Sequence, residues 1–206
     1  MPTGTLNAQF EPSRVKRLIV ATAGHDRHLD ALSRAAEYLT SRERYGRFLR
    51  AQHHFHADVD ALYRDPRLGR LIPHLADQPR LRAIEHDLLD LGLDPAEDMS
   101  VPQFDGAATI DVPTALGWLC VVEGSKLGAA FLLKLTKRLD LSESFGASHL
   151  APASGQNGLD WTTFTDAVDA VQLSNIEELR VLAGARAAFA RAQGLADELL
   201  PRIPST

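Results

Sequence analysis

Apolar side chains recur at steps of three and four along most of the chain, the mark of helices that bury one face. Ser13 stands in an N-cap position, and Val15, Leu18, Thr22, His25, Leu29 and Leu32 follow on one face, predicting a first helix. A second begins after Thr40 or Ser41, with Glu43 as a capping-box partner. It carries Tyr45, Phe48, Leu49, Gln52, Phe55, Val59 and Leu62 until Asp65-Pro66 stops it. Leu68, Leu71, Ile72 and Leu75 make a short amphipathic helix closed by Asp77 to Pro79. Leu81, Ile84, Leu88 and Leu91 make another that ends at Gly92.

Residues 93–111 break the period with Pro95, Pro102 and Gly106, which predicts a long surface connection. The most apolar stretch runs from Val112 to about Leu139. Its run Trp118 to Val122 would suit a strand by itself, but Pro113 fits the first helical turn and nearly thirty residues then pass without an internal proline, so a helix is expected. Residues 142–159 read as a loop rich in Ser, Gly, Pro and Asn. Two helices close the chain, one led by Asp160, the other starting near Ser174 with Glu177 and Glu178 in its first turn. No strand pattern and no internal repeat survive. The expectation is an all-α bundle, a single domain over residues 13–206 behind a loose lead-in at residues 1–12.

Composition narrows the setting. A chain of 206 residues fits one domain with its own core. The lone Cys120 excludes an intramolecular disulfide and a cysteine-only metal cage, and its apolar surroundings suggest inert packing. No start of signal-peptide type and no uninterrupted apolar run of roughly 20 residues is present, so the cytoplasm is expected and a membrane is not. The formal net charge of -5 disfavours binding to nucleic acid by phosphate neutralisation.

Within the apolar helix, Gly124 and Gly128 lie four apart on one face. Glycine inside a helix costs roughly 1 kcal/mol against alanine, so two on one face need a reason. Close helix packing is one. A flat ligand on bare backbone, beside a kink that frees carbonyls for water, is the other, and spacing leaves both open.

Gly117-Trp118-Leu119, followed by Val122-Glu123-Gly124-Ser125-Lys126-Leu127-Gly128-Ala129-Ala130-Phe131, resembles the distal-helix signature of bacterial heme oxygenases. Supporting segments are Arg47-Phe48 with Ala51-Gln52, Ala61-Leu62-Tyr63, Leu71-Ile72-Pro73, Phe145-Gly146-Ala147 with His149-Leu150, and Trp161 with Phe164. The likeness spans about residues 14–200 and is strongest to the branch typified by the Pseudomonas iron-acquisition enzyme. It implies a heme oxygenase-like helical fold that holds heme, both substrate and cofactor, between a proximal helix giving one histidine to iron and a glycine-bent distal helix. The implied products are biliverdin, CO and ferrous iron. Gly124, Ser125 and Gly128 become the implied catalytic positions. Animal relatives carry an aspartate where this chain has Ser125, so proton delivery would follow a more water-dependent route.

The proximal position departs from the family pattern. Aligning Thr22, Leu29 and Asp30 without a gap puts Asp26 where the histidine belongs, with His25 one residue earlier. One residue turns a side chain about 100° around a helix. Three readings stay open: His25 ligates iron after a local bulge, Asp26 faces iron and weakens binding, or His28 swings in. His25 lies on the apolar stripe, and imidazole is a usual axial ligand where carboxylate is not.

Other polar residues have plainer readings. His53, His54 and His56 sit at helical positions that point different ways, so three metal ligands do not converge from them. Glu85 and His86 read as solvated, His149 as structural. Lys126, Lys134, Arg34 and Arg138 are cations for the heme propionates by resemblance, against the plain alternative of a solvated basic face. No glycine-rich dinucleotide fingerprint is present, so no bound flavin or NAD is expected, and electrons would come from a separate reductase, ferredoxin or flavodoxin. A monomer or weak dimer is expected. The rivals are a heme or biliverdin carrier without turnover, because of Asp26, and a diiron oxidase, for which facing Glu-x-x-His-like sets are missing.

Overall fold

A computed structural model describes residues 13–22, 38–97, 100–106, 109–152 and 160–200. Eight α-helices appear among them: α1 (Arg14–Thr22), α2 (Arg42–Arg64), α3 (Pro66–Leu71), α4 (Leu81–Asp90), α5 (Val112–Ser125), α6 (Ala129–Thr136), α7 (Trp161–Ala170) and α8 (Asn175–Leu199). Short 3-10 turns intervene at Leu75–Asp77, Lys126–Gly128, Lys137–Leu139 and Ser148–Leu150. No strand forms among the described residues; isolated bridges link Ser142 to Phe145 and Gly146.

The boundaries follow local chemistry. Ser13 Oγ accepts from Lys16 N at the start of α1. Ser41 caps α2, while Glu43 pairs with Arg47 one turn on rather than closing a capping box. Asp65 ends α2 and caps α3, with Pro66 in the first turn, where its missing N–H costs nothing. Helix α4 stops in a Schellman motif: Gly92 takes φ +71°, its N–H bonds Leu89 O, and Leu93 N bonds Leu88 O. Asp111 and Asp160 cap α5 and α7, and Ser174 with Glu177 forms the full capping box of α8.

Packing centres on α5 against α8, the most extensive helix pair. A Cβ at Gly117 would run into Val181 O and Ala185 N, and one at Gly184 into Thr114 O. The helices therefore touch backbone to backbone. The buried ring of Trp118 lies 6.0 Å from Phe55 and 5.6 Å from Phe104, edge-on to the latter. Phe104 belongs to the connection expected on the surface. Its segment is instead tied inward, because the buried Asp58 of α2 accepts from Gln103 N and Arg191 Nε, and Asp58 O accepts from Phe104 N. Helix α1 is pinned by Arg14, which bonds Glu178 at 2.8 Å and the carbonyls of Val168 and Val171.

By length and composition the stretch Val112–Leu139 would cross a bilayer. Half of its apolar window is buried against the protein's own helices, and α5 supplies core residues Leu116, Trp118, Leu119 and Val122. Burial pushes the Cys120 thiol up to about 12, in keeping with inert packing.

Gly117→Ala or Gly184→Ala will lose about 2–3 kcal/mol in urea denaturation, because the partner is backbone and has no side chain to shift. Gly69→Ala, in open space on α3, will be neutral or gain up to about 1 kcal/mol.

Candidate functional site

The apolar helix is broken where its glycines lie. Helix α5 ends at Ser125, a 3-10 turn covers Lys126–Gly128, and α6 resumes at Ala129. Gly124 supplies little helix propensity, and Ser125 Oγ donates to Val122 O at 2.7 Å, a back-bond of the kind that bends helices. The Lys126 N–H is shared between Glu123 O and Gly124 O as the pattern tightens.

Gly124 leaves room for a ring. A Cβ built there would stand 3.4 Å from Cη2 and 3.7 Å from Cζ3 of Trp161, whose indole stacks on Phe164 at 5.7 Å. Beside it lies a cleft of about 140 Å³ with Gln78, Arg80, Glu123, Lys126, Trp161 and Phe164 in its walls. That is smaller than an ordinary small-molecule pocket of roughly 300–1,000 Å³. The proximal positions expected from sequence fall within residues 23–37, which lie outside the described residues. The Trp161 indole takes up the direction of a Gly124 Cβ, and the aromatic pair together with the polar residues of the cleft offers the apolar surface and hydrogen-bonding groups that a heme edge would take.

Behind the break the wall is polar and buried. Lys126 Nζ lies 2.7 Å from Glu123 Oε1 and donates to Gln78 O at 3.1 Å, while Tyr63 OH donates to the same Glu123 oxygen at 2.6 Å. The ammonium also sits 5.5 Å from the Tyr63 ring centre. Burial pulls Lys126 below the usual lysine range, opposed by Glu123, and burial followed by the Glu123 charge pushes Tyr63 well up. Arg80 donates to His149 O and is lowered by burial, with Glu123 opposing.

The positions expected from sequence divide clearly. Gly124, Ser125, Lys126 and Gly128 come together at the break. Ser125 hydroxyl is committed to the helix carbonyl. Lys126, expected among the cations at a propionate-binding mouth, is turned inward onto Glu123, its side chain only 13% exposed, because a buried carboxylate holds it better than solvent can. Lys134 and Arg138 are exposed on and just after α6. Thr22 ends the described part of α1 and bonds Leu18 O at 2.6 Å. His25 and Asp26, with His28 and Arg34, lie outside the described residues.

The three histidines of α2 are buried on different sides of it: His53 is 3.7 Å from Glu85 of α4, His54 faces the charges of Arg191 and Asp58, and His56 those of Lys126 and His149. His149 Nδ1 pairs with the fully buried Asp87 at 2.7 Å. His86 is exposed, as expected, and Glu85 half-buried. Sequence reasoning missed Gln78, Arg80 and the Glu123–Tyr63 bond. The available signal was an opposite-charge pair three apart inside an apolar helix.

Comparison with known proteins gives the family. The Heme oxygenase family model matches residues 15–198. The chain belongs to the heme oxygenase family. It is 41% identical over 179 residues to Heme oxygenase PigA of Pseudomonas aeruginosa, covering 86% of this chain and 88% of that one. A crystal structure of the Neisseria meningitidis heme oxygenase in its NO- and CO-bound forms matches with a TM-score of 0.78 and 34% identity, covering 94% of this chain and 95% of that one. The all-α architecture expected from the apolar periodicity is thus the family fold.

Burial is the largest cause lowering the pKa of His53, His54, His56 and His149. The folded state then binds fewer protons than the unfolded chain, whose histidines titrate near about 6.5. Stability is intact above that pH and falls as pH drops through it, by about 1.4 kcal/mol per pH unit for each proton taken up on unfolding. Urea denaturation between pH 7.5 and 5 will show this slope, and His56→Leu will flatten it.

Proposed function

We propose that the chain seats heme against the Gly124–Gly128 break and cleaves it to biliverdin, CO and ferrous iron, using O2 and electrons from an external donor. The 3-10 interruption of the apolar helix between Gly124 and Gly128, with an aromatic ring resting against Gly124, is the observation that carries this. Family membership supports it.

Heme is the substrate and also supplies the redox-active iron, so the hard chemistry is its own. The chain's part is to bind, orient and shield. Gly124 and Gly128 admit the ring closely. His25 gives the axial imidazole, with Asp26 at the aligned position and Thr22 four residues before Asp26 in sequence. Lys134 and Arg138 meet the propionates at the mouth. Because Ser125 Oγ is held by Val122 O, protons arrive through water at the loosened carbonyls rather than from a side chain at 125. Electrons come from a reductase, ferredoxin or flavodoxin-type partner. The protein acts as one helical domain over residues 13–206, in the cytoplasm, as a monomer or weak dimer.

Adding hemin to the purified protein will produce a Soret band that gives way to biliverdin absorbance once ascorbate or a reductase is supplied. A stable complex without turnover points to a carrier, and no Soret change sinks both ideas. His25→Ala will remove the axial imidazole signature; an unaltered spectrum assigns the ligand elsewhere.

Gly124→Ala separates site from fold. Its methyl makes only ordinary contact with Trp161, so the fold survives and gains up to about 1 kcal/mol from helix propensity. Heme affinity will fall at least about tenfold, which corresponds to about 1.4 kcal/mol. Melting curves and hemin titration read the two effects, and undiminished affinity would show that heme does not lie on this glycine.

A further inference from the structure

Lys126 and Glu123 bracket the weakest turn of the distal helix. Glu123 lies just before Gly124, near the end of α5, and Lys126 is the first residue of the 3-10 turn. Helical side chains lean toward the N-terminus, so Lys126 reaches back over Gly124 and Ser125 to the carboxylate. The turn it spans has no side chain of its own at Gly124 with which to pack. Tyr63 from α2 and the Gln78 carbonyl from the segment after the Leu75–Asp77 turn hold the same two groups. Three parts of the fold therefore converge on one ion pair beside the break.

Stability gives no reason to keep such a pair. The Glu123 and Lys126 side chains are 6% and 13% exposed, and an apolar replacement of a buried pair is often neutral or stabilising. What a buried pair supplies well is a unique geometry, since an ammonium bound to a carboxylate, a carbonyl and a ring face has one position that satisfies all three. Arg80 adds a second cation near the same carboxylate, and the group lines the cleft beside Trp161.

We propose that Glu123 and Lys126, anchored by Tyr63, form a positioning device that sets the helix break and thereby fixes where Gly124 and Gly128 meet the porphyrin. This rests on the heme-cleaving function above. The pair is held by Tyr63 and the Gln78 carbonyl, and it acts through the backbone it holds.

The test is the double variant Glu123→Gln/Lys126→Met, which removes both charges and leaves neither buried alone. Its melting temperature will equal or exceed that of the unaltered protein. Hydrogen exchange in the heme-free protein will quicken at least about tenfold at the Lys126–Ala129 amides, with those of Ala115–Val122 unchanged. With hemin, the ferric spectrum will shift, heme will dissociate faster, and the ratio of biliverdin isomers will change. Should the double variant fail to fold, Tyr63→Phe, which removes only the hydroxyl on Glu123, will show the same local exchange and isomer changes at smaller size. Unchanged exchange at 126–129 overturns the proposal. So does faster exchange with an unaltered heme spectrum and isomer ratio, which makes the pair merely structural. If the unaltered protein takes up no heme, the function fails and the device with it, whereas normal heme cleavage with indifferent variants overturns the device alone.

Discussion

The backbone-to-backbone crossing of α5 over α8 at Gly117 and Gly184 is the contact on which the site depends. It brings α5 so close to α8 that neither helix has freedom to slide, and Trp118, buried between Phe55 and Phe104, locks the rotation. A helix fixed in depth and rotation over its first half presents its second half at a defined angle. The break at Lys126–Gly128 then starts from a rigid base, which is what the proposed heme site requires.

The glycines of this helix thus serve two different ends. Gly117 is there because a neighbouring backbone occupies the place of its side chain, and any Cβ collides with a carbonyl oxygen. Gly124 meets no backbone; it meets the rim of an indole at ordinary contact distance. Packing and ligand approach were rival explanations for one pair of glycines. In the fold, backbone packing falls at Gly117, outside that pair, and Gly124, seven residues later, meets a side chain instead of a backbone.

Much of the fold was legible because its helices are amphipathic and capped by residues whose chemistry is local. Ser41, Asp65, Asp111, Asp160 and the Ser174–Glu177 box are all within three residues of the amides they satisfy. What periodicity could not supply was partnership across the chain. Asp58 looks like a solvated position on α2, yet it is buried by the 100–106 segment and Arg191, which turns a surface connection into part of the core wall. Lys126 likewise looked free because its partners Tyr63 and Gln78 lie about sixty and fifty residues away in sequence. The glycine pattern was legible by spacing and its meaning by family likeness. The proximal ligand rests on the family likeness and on the apolar stripe that carries His25.

A heme site needs one surface apolar enough to exclude water and another polar enough to manage protons, and the cleft beside the helix break is lined by both. Trp161 and Phe164 cover the Gly124 side with stacked rings. Glu123, Lys126, Tyr63 and Arg80 crowd the polar side, and His56 is held neutral there by burial with cationic neighbours opposing its charge. Desolvated charges interact strongly and lose little to solvent reorganisation, so a small movement of the break alters the field on the open face more than a surface charge could. A purely apolar helix would have packed as well and given the bare turn no fixed place. Under the proposed function, the buried charge at this point is therefore better explained by the geometry it gives the break than by the stability of the bundle.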